Sequence, residues 1–312
     1  MKFTSGELLE LTTADGGRFC AQSLDEARKF CKQIATAHYE NFPVGSLLIP
    51  RAFREHFFSV YAFSRIADDI ADELISEGED AQIGALNEFE QRLQDSTINV
   101  SGNPIFIALR HTMLACGIPL EPFQRLLAAF RRDVHFKRPV TMQDNLDYCH
   151  YSANPVGELV LRIFGLWNPT TAPLSDAICT GLQLANFWQD ISRDFEKGRV
   201  YIPQNILPEF PLDRKDNLVA DRNNTNFTSV LKQVLSQTEV LFENGSGLIH
   251  FLPFFRLRLE IALTIEGGRA ILRKTNRLGG DILFQRPSIT GVDIFWILLR
   301  TVLRHKIFSY RS

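Results

Sequence analysis

The sequence lacks a surplus of either charge, a paired cysteine motif, and an apolar run long enough to cross a membrane. Lys and Arg number 34 against 36 Asp and Glu, giving a net charge of −2, so no broad pull toward nucleic acid is expected. Small molecules or protein surfaces are the expected partners. The five cysteines (Cys20, Cys31, Cys116, Cys149 and Cys179) include no CxxC pair and no zinc-like spacing to His, which fits a reduced, cytoplasmic setting. The amino-terminal stretch MKFTSGELLELTTADGG has acids where an export signal needs a basic region and an apolar core. Near the other end, DIFWILLRTVLRHKIFSY is interrupted by Arg300, Arg304 and Lys306, well short of the roughly 20 apolar residues that a spanning helix requires. That segment and the 25 phenylalanines leave room for peripheral contact with a membrane surface, at the inner face for a cytoplasmic protein. There is no Gly-rich phosphate loop, no HExxH and no Ser/His/Asp arrangement with local support.

What is present is enough apolar material for a sizeable core: 312 residues, 45% hydrophobic and 22% charged. Helical periodicity interrupted by Pro and Gly runs through the chain, and no convincing β-alternation appears. The pattern predicts an all-α protein, with helices near 22–39, 51–77, 80–96, 104–116, 119–133, 142–165, 173–197, 226–244, 253–277 and 289–306. The polar run PLDRKDNLVADRNNTN at 211–226 reads as a loop inserted within a single domain, residues 1–312, because apolar helices flank it.

Two acidic clusters carry the chemistry. In HFFSVYAFSRIADDIADE, residues 56–73, a helix of about 100° per residue places Tyr61, Arg65, Asp68, Asp69 and Asp72 within an arc of roughly 100°. In QLANFWQDISRD, residues 183–194, the same projection groups Gln183, Asn186, Asp190 and Asp194 within roughly 80°. Each cluster contains an Asp-x-x-x-Asp pair, whose side chains meet on neighbouring turns. Carboxylates crowded on a partly buried helix must be neutralised by protons, basic side chains or metal. Taken singly, either pair is compatible with a solvated face or a salt-bridge network with Arg65 or Arg193. Taken together they suit Mg²⁺, which keeps several waters and takes one or two carboxylates plus substrate phosphate oxygens.

Four segments carry a resemblance: NFPVGSLLIP (41–50), VYAFSRIADDIADE (60–73), YCHYSANPVGELVLRIFG (148–165) and QLANFWQDISRDFEKGRVYIP (183–203). With two aspartate motifs in order and a Tyr-Cys segment between them, the chain resembles the squalene/phytoene synthase family over nearly its whole length. The resemblance implies an isoprenoid synthase fold, helices around a central apolar cavity capped by motifs that bind Mg²⁺ and diphosphate. It assigns metal binding to Asp68, Asp69, Asp72, Asp190 and Asp194, and diphosphate contacts to Arg65, Tyr201 and Arg286. Gln183 and Asn186 match polar positions before the second motif, and Phe42 and Tyr61 match cavity positions.

The departures point to one branch. Where condensing members have Arg in the second motif, this chain has Gln189, and the segment YCHYSANP places His150 at a cavity tyrosine and Asn154-Pro155 where the family has Gly and the residue after it. These features resemble the hydroxysqualene synthases of bacterial hopanoid biosynthesis. In that branch the substrate is presqualene diphosphate, supplied by a sister presqualene diphosphate synthase, and the product alcohol forms by water capture without NADPH. Loss of the Arg should weaken condensation of two prenyl diphosphates. His150, Tyr151, Ser152 or Asn154 could hold the capturing water, although a hydrogen-bonded core histidine is the plainer reading of His150. A complete squalene, dehydrosqualene or phytoene synthase remains the alternative, with a non-catalytic partner subunit a third.

Overall fold

The structure is a computed structural model that describes residues 2–37, 49–98, 102–208 and 225–305. Phe42 and most of the polar run at 211–226 lie outside the described residues. Among the described residues the regular elements are helices and no strand occurs, as the periodicity predicts. In order they are α1 (Ser5–Leu11), α2 (Leu24–Ala37), α3 (Arg54–Glu73), α4 (Glu79–Asp95), α5 (Pro104–Cys116), α6 (Glu121–Val134), α7 (Met142–Ser152), α8 (Asn154–Ile163), α9 (Thr171–Gln189), α10 (Ile191–Glu196), α11 (Thr225–Gly245), α12 (Phe255–Leu278) and α13 (Gly291–His305). Backbone contacts divide the chain into two compact units: Met1–Phe136 with Pro155–Trp167, and Lys137–Asn154 with Asn168–Ser312.

The first unit is organised by α3, twenty residues with neither Gly nor Pro. Its Phe63 is fully buried and packs on Phe89 of α4 at 5.1 Å and edge-on against Phe123 of α6 at 5.2 Å. Phe106 of α5 closes the cluster against Phe89 at 4.9 Å. Helix α5 starts where the Asn103 side chain accepts from the Ile105 N–H and Pro104 occupies the first turn, and it ends at Gly117 with φ 61°. These are the residue types that favour those positions. In the second unit, α9, α11 and α12 meet around the fully buried Phe242. A Cβ at Gly268 would lie 2.5 Å from the Phe242 ring and one at Gly181 3.1 Å from it, so both glycines admit the ring by having no side chain. Trp188 of α9 is also fully buried and donates from Nε1 to Thr238 Oγ1 of α11 at 2.9 Å.

Three features differ from the periodicity. Helix α1 was not anticipated; its amino end is a capping box between Thr4 and Glu7. The single helix expected over 142–165 divides at Ala153 into α7 and α8, because Pro155 has no N–H and its ring crowds the carbonyl four residues back. The helix expected over 173–197 changes direction at Asp190, φ −97° and ψ 10°, a backbone region where active-site residues recur.

Candidate active site

In the first unit, α3 presents a graded row of acids. Asp69 is buried, Asp68 half-buried and Asp72 exposed. Arg65 forms ion pairs with Asp69 one turn on and with Asp68 at 3.3 Å, so its guanidinium is held flat along the row. Burial pushes the Asp68 carboxyl up to about 7, reinforced by the charge of Asp72 and opposed by Arg65. Burial also raises the Tyr61 phenol above its ordinary range. The row therefore carries more negative charge than its one cation offsets.

Tyr61, Arg65 and Asp68 form one side of a cavity of about 200 Å³. Apart from Ser64, whose hydroxyl donates to Val60 O, its other walls are apolar: Phe57 and Val60 of α3, Phe130 of α6, and Val156, Leu159, Val160 and Ile163 of α8. Helix α8 is fixed by Glu158, a buried carboxylate that takes Arg162 at 2.7 Å and also pairs with Arg125 of α6. The α8 wall was missed at the sequence level, where Val156, Val160 and Ile163 are indistinguishable from core positions at helical spacing.

In the second unit, the hydrogen bonds from Asp190 N to Asn186 O (2.9 Å) and from Asp194 N to Asp190 O (2.8 Å) keep the i, i+4 alignment through the bend. Arg286 reaches Asp190 with its fork, forming an ion pair through Nε and donating from Nη2 at 3.3 Å. Gln189 donates from Nε2 to Pro287 O at 2.7 Å, which ties the segment bearing Arg286 to the carboxyl end of α9. Burial and the neighbouring Asp190 push the Asp194 carboxyl up to about 6, against the pull of Lys197, Arg199 and Arg286. Gln183 is half-buried and Asn186 exposed. Tyr201 stacks on Phe187 at 3.7 Å, and its carbonyl accepts from the buried Asn145.

The stretch YCHYSANP falls on the end of α7, Ala153 and the first two residues of α8. His150 is exposed, its ring edge-on to Tyr151 at 5.2 Å. Asn154 is buried and accepts from Thr180 Oγ1 at 2.9 Å. The Ser152 hydroxyl is buried with no hydrogen-bond partner among the described residues, a setting that an ordered water would satisfy.

No group of three or more His, Cys, Asp or Glu among the described residues is arranged to hold a metal ion. The donor sets are instead pairs, Asp68 with Asp72 and Asp190 with Asp194, each containing one carboxyl driven upward by burial and a like-charged neighbour. Such half-sites fit a hard cation that completes its coordination with water and phosphate oxygens. Asp69 is committed to Arg65.

The chain matches the family model for squalene/phytoene synthase over residues 35–293. A hydroxysqualene synthase of Sinorhizobium fredii is 34% identical over 228 residues, 73% of this chain and 76% of that protein. A crystal structure of squalene synthase HpnC from Alicyclobacillus acidocaldarius superposes with a TM-score of 0.74 at 40% identity, covering 82% of this chain and 95% of that one. A dehydrosqualene synthase crystallised with a ligand shares the fold, with a TM-score of 0.75 at 22% identity over 93% of this chain and 99% of that one.

Proposed function

The chain belongs to the squalene/phytoene synthase family, and we propose that within it the protein is a hydroxysqualene synthase, converting presqualene diphosphate and water to hydroxysqualene and diphosphate. Gln189 carries this reading. Its amide is donated to Pro287 O, so the second motif offers the guanidinium of Arg286 and no second one at position 189. Condensing two prenyl diphosphates requires about twice the anionic charge to be balanced at some stage, and a missing cation weakens that half-reaction most. The naming of the Sinorhizobium relative supports the same choice.

Mg²⁺ at the two aspartate pairs would neutralise the diphosphate and favour its departure. On the first acidic face, Asp68 and Asp69 aim Arg65 at a substrate oxygen; on the second, Asp190 and Gln189 set the position of Arg286. The phenols of Tyr61 and Tyr201 add donors. The C–O bond to diphosphate breaks with its electron pair leaving on oxygen, and walls such as Val156 and Val160 give the rearranging cation no nucleophile. Water then forms the new C–O bond and loses a proton to the departed diphosphate, a base in the same site. A water at Ser152 or Asn154, or one held by His150 from its exposed position, would serve. Water takes the place of hydride in this balance, so NADPH is not consumed, and the substrate must come from a separate presqualene diphosphate synthase.

A second reading, a complete squalene synthase, is favoured by the description of the Alicyclobacillus structure. Purified protein with Mg²⁺ and either farnesyl or presqualene diphosphate, with and without NADPH, separates the two. Hydroxysqualene from presqualene diphosphate without NADPH, and no turnover of farnesyl diphosphate, is expected. Farnesyl diphosphate consumption by this protein alone, or squalene with a strict NADPH requirement, would establish the second reading.

A further inference from the structure

Helix α13 is built with its apolar side outward. Taking about 100° per residue, Val292, Phe295, Trp296, Leu299, Val302 and Leu303 fall within an arc of about 120°, and no charged residue of 291–305 shares it. All six are exposed, Phe295 at 61% and Leu303 at 69%. The opposite side holds the buried Ile297 and Thr301 together with Asp293, Arg300 and Arg304, and is the side packed toward α12. The match to the family model ends at residue 293, at the start of this helix.

Beside that apolar face, α12 and α13 enclose a cavity of about 380 Å³ whose lining includes Arg273, Lys274, Arg277 and Arg300. Asp293 is its one acid and is already engaged, taking Lys274 at 2.5 Å and the backbone and hydroxyl of Thr290. Among the described residues Arg273, Arg277 and Arg300 form no ion pair with a carboxylate. Arg273 is half-buried, and burial and Arg300 hold its guanidinium below its ordinary range against the pull of Glu266 and Glu239. A pocket of crowded arginines that form no ion pair among the described residues, at the edge of an outward apolar helix, complements an anionic lipid surface: the face suits acyl chains, the pocket a phosphate headgroup.

We propose that α13 docks the protein on an anionic membrane, lying in the interface plane with a lipid phosphate headgroup between Arg273, Arg277 and Arg300. No helix among the described residues is long and apolar enough to cross a membrane, so the contact is peripheral. A second copy of the chain is the weaker occupant. A helix of fifteen residues offers a face about 22 Å long and 10–12 Å wide, a fraction of the about 800 Å² per partner that a stable interface buries.

The full chain is tested by co-sedimentation with phosphatidylcholine vesicles, with and without phosphatidylglycerol, while tryptophan fluorescence is followed; Trp188 is buried, and the half-buried Trp167 is accounted for by comparison with Trp296→Phe. Partition at least about tenfold stronger on phosphatidylglycerol vesicles is expected, with a blue shift lost in Trp296→Phe. Phe295→Glu and Leu303→Glu, both at exposed positions, should abolish partition. Arg277→Gln with Arg300→Gln should reduce it to the phosphatidylcholine level, and presqualene diphosphate turnover in detergent should be unchanged throughout. The proposal is overturned by equal partition onto both vesicles, by none, or by a wild-type dimer that Phe295→Glu disperses. Binding of inorganic phosphate at the arginines with Trp296 indifferent to vesicles would overturn it too, assigning the pocket to free phosphate.

Discussion

Replacing Arg286 by Ala removes the guanidinium that Asp190 holds, and the structure separates what this costs in stability from what it costs in rate. Two unit charges 4 Å apart attract by about 4 kcal/mol at an effective dielectric of 20. Water reaches this pair, since Arg286 is 31% and Asp190 16% exposed, and screening with side-chain ordering brings the net contribution to about 1 kcal/mol. The expected fall in Tm is therefore about 2–4 °C. Charge that develops on a departing diphosphate is another matter: losing one preorganised donor costs about 10²–10³ in rate, and Gln189 supplies no substitute cation. Stopped assays of diphosphate release from presqualene diphosphate, beside thermal unfolding, should show turnover falling at least about a hundredfold. The pH profile adds a sign. Arg286 helps to hold down the Asp194 carboxyl, already up at about 6, so its loss raises that value further and moves the acid limb of the rate profile to higher pH. Arg286→Lys keeps the charge but not the fork, and should recover only part of the rate. Unchanged turnover with the same loss of Tm would refute the reasoning, leaving Arg286 as a purely structural partner of Asp190.

Other expectations follow from the same contacts. Gln189→Arg should forfeit the hydrogen bond to Pro287 O but add a cation to the second motif, and product analysis with farnesyl diphosphate should then detect presqualene diphosphate above the wild-type background. In the metal-free protein the Asp68 carboxyl, at about 7 against an ordinary 3.8, holds a proton that the unfolded chain has lost. Stability should therefore fall as pH rises from about 4 to about 7, and Asp68→Asn should flatten that fall in urea titrations. Thr180→Val leaves the buried Asn154 Oδ1 without its donor, and should cost about 1–3 kcal/mol by chemical denaturation.

The acidic faces were legible in the sequence because i, i+4 geometry depends only on spacing, and a helix preserves it even through the bend at Asp190. The grading from buried Asp69 through half-buried Asp68 to exposed Asp72 was not legible, since it depends on which side of α3 meets its neighbours, α6 among them. The break before α8 was in principle readable, as Pro155 forbids a continuous helix; periodicity on both sides concealed it. Gln189 stood out as an unusual residue, but its partner Pro287 lies 98 positions away, beyond any local pattern. His150 was singled out as a cavity residue, whereas the structure places it on the exposed side of α7; the buried polar groups of that segment are Asn154 and the Ser152 hydroxyl.

Water capture after departure of diphosphate is tested most directly by turnover of presqualene diphosphate in ¹⁸O-labelled water. Hydroxysqualene whose alcohol oxygen carries the label, with released diphosphate free of it, is the expected result, because the C–O bond breaks and water supplies the new oxygen. An unlabelled alcohol with label in the phosphate would mean P–O cleavage, and a hydrocarbon product would mean that no water is captured; either result contradicts the proposed reaction.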